Sequence, residues 1–147
     1  MKSIIMDASV ILKWFFKENH QEYAWRYLEN SALQLLAPDF AFVECAGVIR
    51  RKIASNEVTL EQGKKSLQKM REIARLEFIP ILNLTHQAFE IANEIQHDLY
   101  DCIYLALAIH QQSVMVTADK KFYDCVQKHD VYKDFIQWIE DELKIMK

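Results

Sequence analysis

Short apolar runs alternate along this chain with longer segments in which apolar residues recur every three or four positions. The apolar runs at residues 4–6, 33–37, 77–82 and 114–117 predict four buried β-strands. The periodic segments predict helices at 8–17, 20–30, 39–55, 59–74, 85–96, 101–111 and 120–128. Strands that alternate with helices in this way predict an α/β fold, with a parallel sheet covered on both faces.

The pattern shows no internal repeat, low-complexity segment or charge block, so we expect a single domain over residues 1–147. Thr59 and Gln62 have the spacing of a capping box, which predicts the start of the fourth helix. The segment 134–142 is ambiguous, because its apolar residues fit helical spacing while F-I-Q-W-I fits a last strand equally well. The pattern therefore leaves residues 134–147 unassigned.

Composition removes several classes of function. Gly47 and Gly63 are the only glycines, too few for the glycine-rich loops of dinucleotide-binding folds and P-loop enzymes. The net charge of −3 gives no overall basic signature of nucleic-acid binding. A local cluster of acids would, however, cancel the charge of surrounding basic residues in this total. We expect neither a membrane span nor a signal peptide, because no apolar run is long enough.

The cysteines and histidines argue against a disulfide framework and a zinc site. Cys45, Cys102 and Cys125 are odd in number and lack C-x-x-C spacing. They are therefore expected to be reduced thiols in a cytoplasmic protein. The five histidines show no H-x-x-x-H pair, so a zinc site is not expected.

Four acidic residues stand where acids are uncommon. Asp7 directly follows the first predicted strand and Asp119 follows the fourth, so both are expected at the carboxyl edge of the sheet. Glu44 lies within F-A-F-V-E-C-A-G-V-I on an apolar helical face, where an unpaired carboxylate is costly. Asp101 opens the apolar helix Y-D-C-I-Y-L-A-L-A-I. Ligands of open α/β sheets bind at this edge.

Each aspartate alone also fits a helix cap or a turn. Asp98 competes with Asp101 for the cap of the same helix, and Asp7 and Asp119 each precede a predicted helix. Glu44 has no such alternative, because a mid-helix residue cannot cap. If all four converge, their repulsion must be offset, and oxygen ligands alone select a hard divalent cation, Mg²⁺ or Mn²⁺.

The motifs that contain these acids resemble those of a known family. D-A-S-V-I-L-K-W-F, the mid-helix Glu44, Y-D-C-I-Y-L-A-L-A and V-T-A-D-K-K-F are similar, in order and spacing from Ile4 to Tyr123, to the motifs of PIN-domain ribonucleases. The closest subgroup is the VapC-like toxins of toxin–antitoxin pairs. The resemblance implies a three-layer α/β/α sandwich, Mg²⁺- or Mn²⁺-dependent cleavage of RNA, a homodimer, and inhibition by a VapB-like antitoxin.

The same resemblance implies roles for individual residues. By motif, Asp7, Glu44, Asp101 and Asp119 correspond to the catalytic and metal-binding acids, and Ser9 and Thr117 to the supporting hydroxyls. Gly47 departs from the family pattern, which often has Asn three residues after the helical Glu. Asp98 and Asp124 are reserve acids that we expect to be solvated.

Basic and aromatic residues supply candidate contacts to RNA or to a partner. Lys120 and Lys121 are the favoured phosphate contacts, because they adjoin Asp119. The basic residues of the fourth helix are expected to form a solvated face. Trp14, Phe15 and Phe16 cannot all face the core, so we expect some apolar surface there for a dimer or antitoxin interface, with base stacking as an alternative.

Three other functions remain open from the sequence. A PIN nuclease of RNA maturation would need no antitoxin. A receiver or a haloacid-dehalogenase-type phosphatase fits poorly, because receivers need adjacent acids and the phosphatases need D-x-D, where this chain has Ser9. A non-catalytic binding module could keep the acid pocket, but the presence of all four acids counts against it.

Overall fold

The chain forms alternating strands and helices in a computed structural model, which describes residues 2–143. The strands are β1 (Lys2–Met6), β2 (Leu33–Pro38), β3 (Leu76–Ile79), β4 (Met115–Thr117) and β5 (Ile136–Trp138). The α-helices are α1 (Ala8–Ile11), α2 (Gln21–Glu29), α3 (Phe40–Ala54), α4 (Leu60–Arg71), α5 (Leu82–Ile95), α6 (Leu99–His110) and α7 (Lys120–Gln127). Single 3₁₀ turns cover Leu12–Trp14 and Lys133–Phe135.

The strands form one parallel sheet in the order β3-β2-β1-β4-β5. Because the chain leaves the central strand β1 first toward β2 and β3 and later toward β4 and β5, right-handed crossovers place helices on both faces. The predicted three-layer α/β/α fold is therefore confirmed. Within residues 2–143, no helix has both the length and the apolar character that crossing a membrane requires.

Much of the core lies between the sheet and α6. Ile4, Ile5 and Met6 of β1 are fully buried, and every residue of α6 from Cys102 to Ala108 is buried. Helix α6 contacts β1, β2 and β4 on one side and α5 on another. Its largely apolar sequence thus reflects its central position, and both of its ends reach the surface, the first turn with Asp101 and the last with His110.

The first predicted helix is shorter than the pattern indicated. The α-helix ends at Ile11 and tightens into the 3₁₀ turn, whereas the sequence predicted a helix to residue 17. Side chains from α2 bind the backbone that the helix leaves unpaired. Gln21 Nε2 donates to the carbonyl oxygens of Lys13 (2.8 Å) and Phe16 (3.1 Å). The aromatic residues that follow therefore belong to a turn with specific tertiary contacts.

The third strand and the helix after it also begin and end earlier than predicted. Strand β3 stops at Ile79 because Pro80 has no N–H with which to continue the ladder. Helix α5 then begins at Leu82, and the Thr85 hydroxyl donates 2.9 Å back to the Ile81 carbonyl oxygen from within its first turn. Thr85 is therefore an interior residue of this helix, and the predicted start at that position is wrong.

The ambiguous C-terminal segment forms a strand. Ile136, Gln137 and Trp138 pair in parallel with Met115, Val116 and Thr117 of β4. Residues 144–147 of the unassigned tail lie outside the described residues. The predicted capping box is confirmed as well, since the Thr59 hydroxyl accepts from the Gln62 N–H (3.1 Å) and the Gln62 side chain accepts from the Thr59 N–H (2.8 Å).

The carboxyl edge of the sheet brings distant parts of the chain together. Met6 lies opposite Val116 in the β1–β4 register, so β1 and β4 end side by side. The Asp7 N–H donates to the Val116 carbonyl oxygen (3.1 Å) directly beyond the paired strands. This register places the residues that follow both strands in one location.

Candidate active site

All four acids singled out in the sequence line one cleft of about 470 Å³ at the carboxyl edge of the sheet. Asp7 follows β1, Glu44 lies in α3, Asp101 lies in the first turn of α6, and Asp119 precedes α7. We call this cavity the acid cleft. Its four carboxylates come from segments up to 112 residues apart in the sequence (Asp7 to Asp119), and the sheet register is what brings them together.

Asp7 lies at the base of the acid cleft and is only 7% exposed. Its Oδ2 accepts hydrogen bonds from the hydroxyls of Ser9 (2.8 Å) and Thr117 (2.7 Å). Burial raises the pKa of Asp7, and the charge of Asp119 adds to the rise, while the two hydroxyl bonds oppose it. Asp7 occupies the N-cap position of α1, but its side chain makes no capping bond, so the capping alternative is wrong here.

Ser9 and Thr117 join Asp7 to the turn that carries Asp119. The Ser9 oxygen accepts from the Ala118 N–H (3.1 Å), and the Thr117 oxygen accepts from the Asp119 N–H (3.0 Å). Each hydroxyl therefore donates to Asp7 and accepts from a backbone N–H of the turn that carries Asp119. This arrangement fixes the position of both acids and the orientation of the Asp7 carboxylate.

Asp119 has two roles in the structure. Its Oδ1 accepts from the Phe122 N–H (3.2 Å) and so caps α7, as the alternative interpretation of the sequence proposed. The same carboxylate lines the acid cleft. Because a carboxylate has four lone-pair sites on two oxygens, capping leaves acceptor capacity for a second partner.

Glu44 is a half-buried acid whose surroundings disfavour ionisation. Burial, together with the charges of Asp7 and Asp101, raises its pKa to about 7, although a hydrogen bond from the Tyr104 hydroxyl favours the charged form. Tyr104 is fully buried in α6 and holds the Glu44 carboxylate at the wall of the acid cleft. A carboxyl group with this pKa exchanges its proton near neutral pH.

Asp101 contacts a histidine that the sequence analysis did not single out. His97 Nε2 lies 2.8 Å from Asp101 Oδ2. Burial, the charge of Asp7 and that of Asp98 raise the pKa of Asp101 to about 6, while His97 lowers it. Asp98, and not Asp101, caps α6, since its Oδ1 accepts from the Asp101 N–H (3.0 Å), so the capping alternative for Asp101 is wrong.

Several residues of the site lacked a clear signal in the sequence. Lys13 is only 7% exposed, lines the acid cleft and pairs with Glu18 (3.3 Å), and Arg51 lines the cleft as well. His97 had no such signal, because it lies in the turn before α6 and meets Asp101 only through the fold of that turn. Nothing local distinguished Lys13 or Arg51 from other basic residues.

The two lysines favoured as phosphate contacts lie outside the lining of the acid cleft. Lys120 pairs with Asp124 (3.2 Å) and lies over the rings of Tyr123 (5.0 Å) and Trp138 (5.4 Å). Lys121 lines a neighbouring cavity together with His97 and other residues. Asp124 is exposed, as expected of a solvated acid.

The donors of the acid cleft suit a hard cation. Carboxylate oxygens are the ligands that Mg²⁺ and Mn²⁺ prefer. Burial raises the pKa of Asp7, Glu44 and Asp101, and the charge of at least one neighbouring acid adds to each rise. Among residues 2–143, the one group of three candidate ligands whose donor atoms lie within 4.8 Å of one another is His97, Asp98 and Asp101. Asp7, Glu44 and Asp119 line the same cleft but belong to no such close group of described residues.

Comparisons with known proteins agree with this architecture. The family model described as PIN domain matches residues 4–126. No curated protein sequence matches the chain.

Three solved structures share the fold at low sequence identity. VapBC2 from Rickettsia felis, bound to a DNA fragment from its promoter, is 17% identical, with a TM-score of 0.68 over 92% of this chain and 98% of that one. PAE2754 from Pyrobaculum aerophilum is 18% identical, with a TM-score of 0.65 over 95% and 85%. A toxin–antitoxin complex from Klebsiella pneumoniae is 14% identical, with a TM-score of 0.66 over 95% and 99%.

Proposed function

The chain belongs to the PIN-domain family of nucleases, and from this premise we propose that it is a metal-dependent endoribonuclease. The observation that carries the proposal is the acid cleft, where Asp7, Glu44, Asp101 and Asp119 meet at the carboxyl edge of the sheet. A cluster of carboxylates that raise one another's pKa is unfavourable without a cation. The same cluster is what binding a divalent ion requires.

Asp7, Asp101 and Asp119 are the proposed principal ligands of Mg²⁺ or Mn²⁺, directly or through water, and Glu44 holds a second ion or the attacking water. When bound, such an ion lowers the pKa of a water molecule and offsets negative charge on the scissile phosphate. Ser9 and Thr117 both donate to Oδ2 and hold the Asp7 carboxylate in one orientation, which leaves Oδ1 available to a cation.

Glu44 is suited to hold a proton during the reaction. Its pKa of about 7 leaves the carboxylate partly ionised at neutral pH in the metal-free protein, and a bound cation would favour the ionised form, which can orient water and accept a proton from it. The Tyr104 hydroxyl fixes the side chain that does so. Because water attacks, the products are expected to carry 5′-phosphate and 3′-hydroxyl ends.

Basic side chains around the acid cleft would bind the phosphates on either side of the scissile phosphate. Lys13 and Arg51 line the cleft and are placed to do so. Lys120 and Lys121, at the start of α7 directly after Asp119, are proposed for phosphates further along the strand. RNA is the proposed substrate.

We propose further that the protein is the cytoplasmic toxin of a toxin–antitoxin pair, with a VapB-like antitoxin as its partner. The similarity of the fold to VapBC2 and to the Klebsiella pneumoniae toxin–antitoxin complex supports this assignment. A homodimer is also proposed, because Leu82 (84% exposed), Phe89 (59%) and Tyr100 (56%) present large apolar side chains to solvent. Sedimentation velocity would test the dimer.

The catalytic assignment is tested with Asp7→Asn in purified protein supplied with Mn²⁺. Loss of the buried carboxylate should lower the rate of RNA cleavage by at least about a hundredfold, because the amide cannot supply the charge that holds the cation. Asp134→Asn is the matched control, since Asp134 is an exposed acid outside the acid cleft. Cleavage that survives Asp7→Asn at the wild-type rate would refute the site.

The biological assignment is tested by expression in cells. A toxin should arrest growth on induction, and Asp7→Asn should relieve the arrest. Harmless expression of an active nuclease would instead favour an enzyme of RNA maturation. Isothermal titration with Mn²⁺ tests the alternative that the chain is a non-catalytic binding module. A folded protein that binds neither metal nor RNA could not be a metal-dependent nuclease.

A further inference from the structure

A second cavity lies beside the acid cleft, between the end of the first helical segment and α4. It has a volume of about 500 Å³, and we call it the aromatic–lysine groove. Its lining residues are Trp14, Phe15, Phe16, Val58, Gln62, Lys65, Ser66 and Lys69. None of these side chains takes part in the reaction proposed for the acid cleft.

The three consecutive aromatic residues divide between the core and this groove. Trp14 is 8% exposed, and its indole N–H donates to the Ala24 carbonyl oxygen (2.8 Å), which makes it a core residue. Phe15 and Phe16 are half-buried and line the groove. The residues directly after the 3₁₀ turn thus present two aromatic rings at a surface.

The opposite wall of the groove is cationic. Lys65 and Lys69 are exposed and lie one turn apart on α4, with Cβ atoms about 6 Å from each other. Neither lysine forms an ion pair with any residue in the described range 2–143, and no carboxylate lines the groove. Lys64, by contrast, pairs with Glu61 (3.8 Å).

Direct contacts connect the aromatic–lysine groove with the acid cleft. Glu18, which lines the acid cleft, pairs with Lys13 (3.3 Å) and with Lys52 (3.8 Å). Lys52 Nζ in turn lies 5.2 Å from the ring centre of Phe16, which lines the groove. Glu18, Lys52 and Phe16 thus form a continuous line of contacts from the acid cleft to the aromatic–lysine groove.

We propose that the aromatic–lysine groove binds the single-stranded RNA that adjoins the scissile phosphate, a role that rests on the function proposed above. Bases stack on Phe15 and Phe16, and neighbouring phosphates contact Lys65 and Lys69. An aromatic surface beside unpaired ammonium groups is the combination with which proteins bind single strands without sequence preference. Continuity with the acid cleft favours the substrate over a protein partner as the occupant.

The test measures the affinity of the full-length protein for a fluorescein-labelled oligouridine of about twelve nucleotides, by fluorescence anisotropy. EDTA is present, so binding is observed without cleavage. For Lys65→Gln/Lys69→Gln we expect the Kd to rise about tenfold. The slope of log Kd against log salt concentration should fall by about 1.4, because two phosphates of the single strand would no longer be neutralised by an ammonium group.

Two further variants separate the specific contacts from the general charge of α4. Lys64→Gln is the matched control, because it removes another exposed charge of the same helix from outside the groove, and we expect less than a twofold change. Lys65→Arg/Lys69→Arg should restore the affinity. For Phe16→Leu we expect a rise in Kd of about fivefold or more, because the leucine side chain offers no ring on which a base can stack.

An unchanged Kd for Lys65→Gln/Lys69→Gln would overturn the proposal. If, in addition, this variant were no longer neutralised in cells by the product of an adjacent antitoxin gene, the groove would belong to a protein partner. A chain that binds oligouridine through these lysines but cleaves no RNA with Mn²⁺ would refute the endoribonuclease and leave the groove as an RNA-binding site. The two proposals therefore fail in distinguishable ways.

Discussion

Replacing Glu44 by Gln should stabilise the metal-free protein above neutral pH, although it removes a residue of the proposed active site. Burial and the charges of Asp7 and Asp101 raise the pKa of Glu44 from 4.5 to about 7. Between these two values the folded protein binds more protons than the unfolded chain. The free energy of unfolding therefore falls as the pH rises through this window, and it levels off above about pH 7.

The magnitude follows from the size of the shift. One pKa unit corresponds to about 1.36 kcal/mol, so a fully desolvated carboxylate with this pKa would destabilise the folded state by about 3 kcal/mol. Because Glu44 is only half-buried, solvent screening lowers the figure to about 1–2 kcal/mol. Gln has nearly the same shape and can still accept the hydrogen bond from Tyr104, so the change removes the charge and little else.

Thermal unfolding followed by circular dichroism, in EDTA at pH 5 and pH 8, measures the effect. At pH 8 we expect Glu44→Gln to raise Tm by about 2–8 °C, and at pH 5 the gain should be much smaller. Glu77→Gln is the matched control, since Glu77 is exposed on β3 and has no ion pair with any of the described residues. Equal stabilisation at both pH values, or none at pH 8, would refute the electrostatic reasoning. Mg²⁺ should stabilise the wild type more than Glu44→Gln.

Two other predictions concern α6 and the helical glycines. Tyr104→Phe removes the hydrogen bond that favours ionised Glu44, so the pKa of Glu44 should rise further. The acidic limb of the pH–rate profile for RNA cleavage should then move to higher pH, and a limb that stays in place would contradict this. Gly63→Ala places a Cβ 2.8 Å from Ile53 Cδ1 and should lower the free energy of unfolding in urea by about 1 kcal/mol. Gly47→Ala places a Cβ no closer than 3.9 Å to a neighbouring side chain, that of Arg51, and should raise the free energy of unfolding by about 0.5–1 kcal/mol. A change of the same sign in both variants would show that packing around the new Cβ does not determine the effect on stability.

Local patterns in the sequence were enough to predict most of the elements. Three of the four predicted strands lie within a residue or two of their observed positions, because each is a short apolar run buried on both faces of a parallel sheet. The capping box at Thr59 is equally local. One error arose where a side chain from another element intervened, as Gln21 does at the end of the first helix, and the errors at β3 and α5 arose where the local effects of Pro80 and Thr85 were overlooked.

The acids were found because each stands in a setting that is unusual for a charge. A carboxylate after a buried strand, or in the middle of an apolar helix, requires compensation wherever it occurs, and this is visible in a single segment. Their location in one cleft agrees with the structure, and their catalytic and metal-binding roles remain predictions. His97 and Tyr104 were overlooked because each gains its importance only from the acid that it contacts.

By itself, the sequence determined the alternation of strands and helices, the apolar character of α6 and the positions at which charge would be costly. Only the tertiary structure decided that Lys13 and Arg51 line the acid cleft and that Lys120 and Lys121 do not. It also decided that F-I-Q-W-I forms β5, because β4 offers it a parallel edge. Periodicity and burial cost are properties of a segment, whereas the partner of a charged or ambiguous segment depends on contacts between residues far apart in the chain.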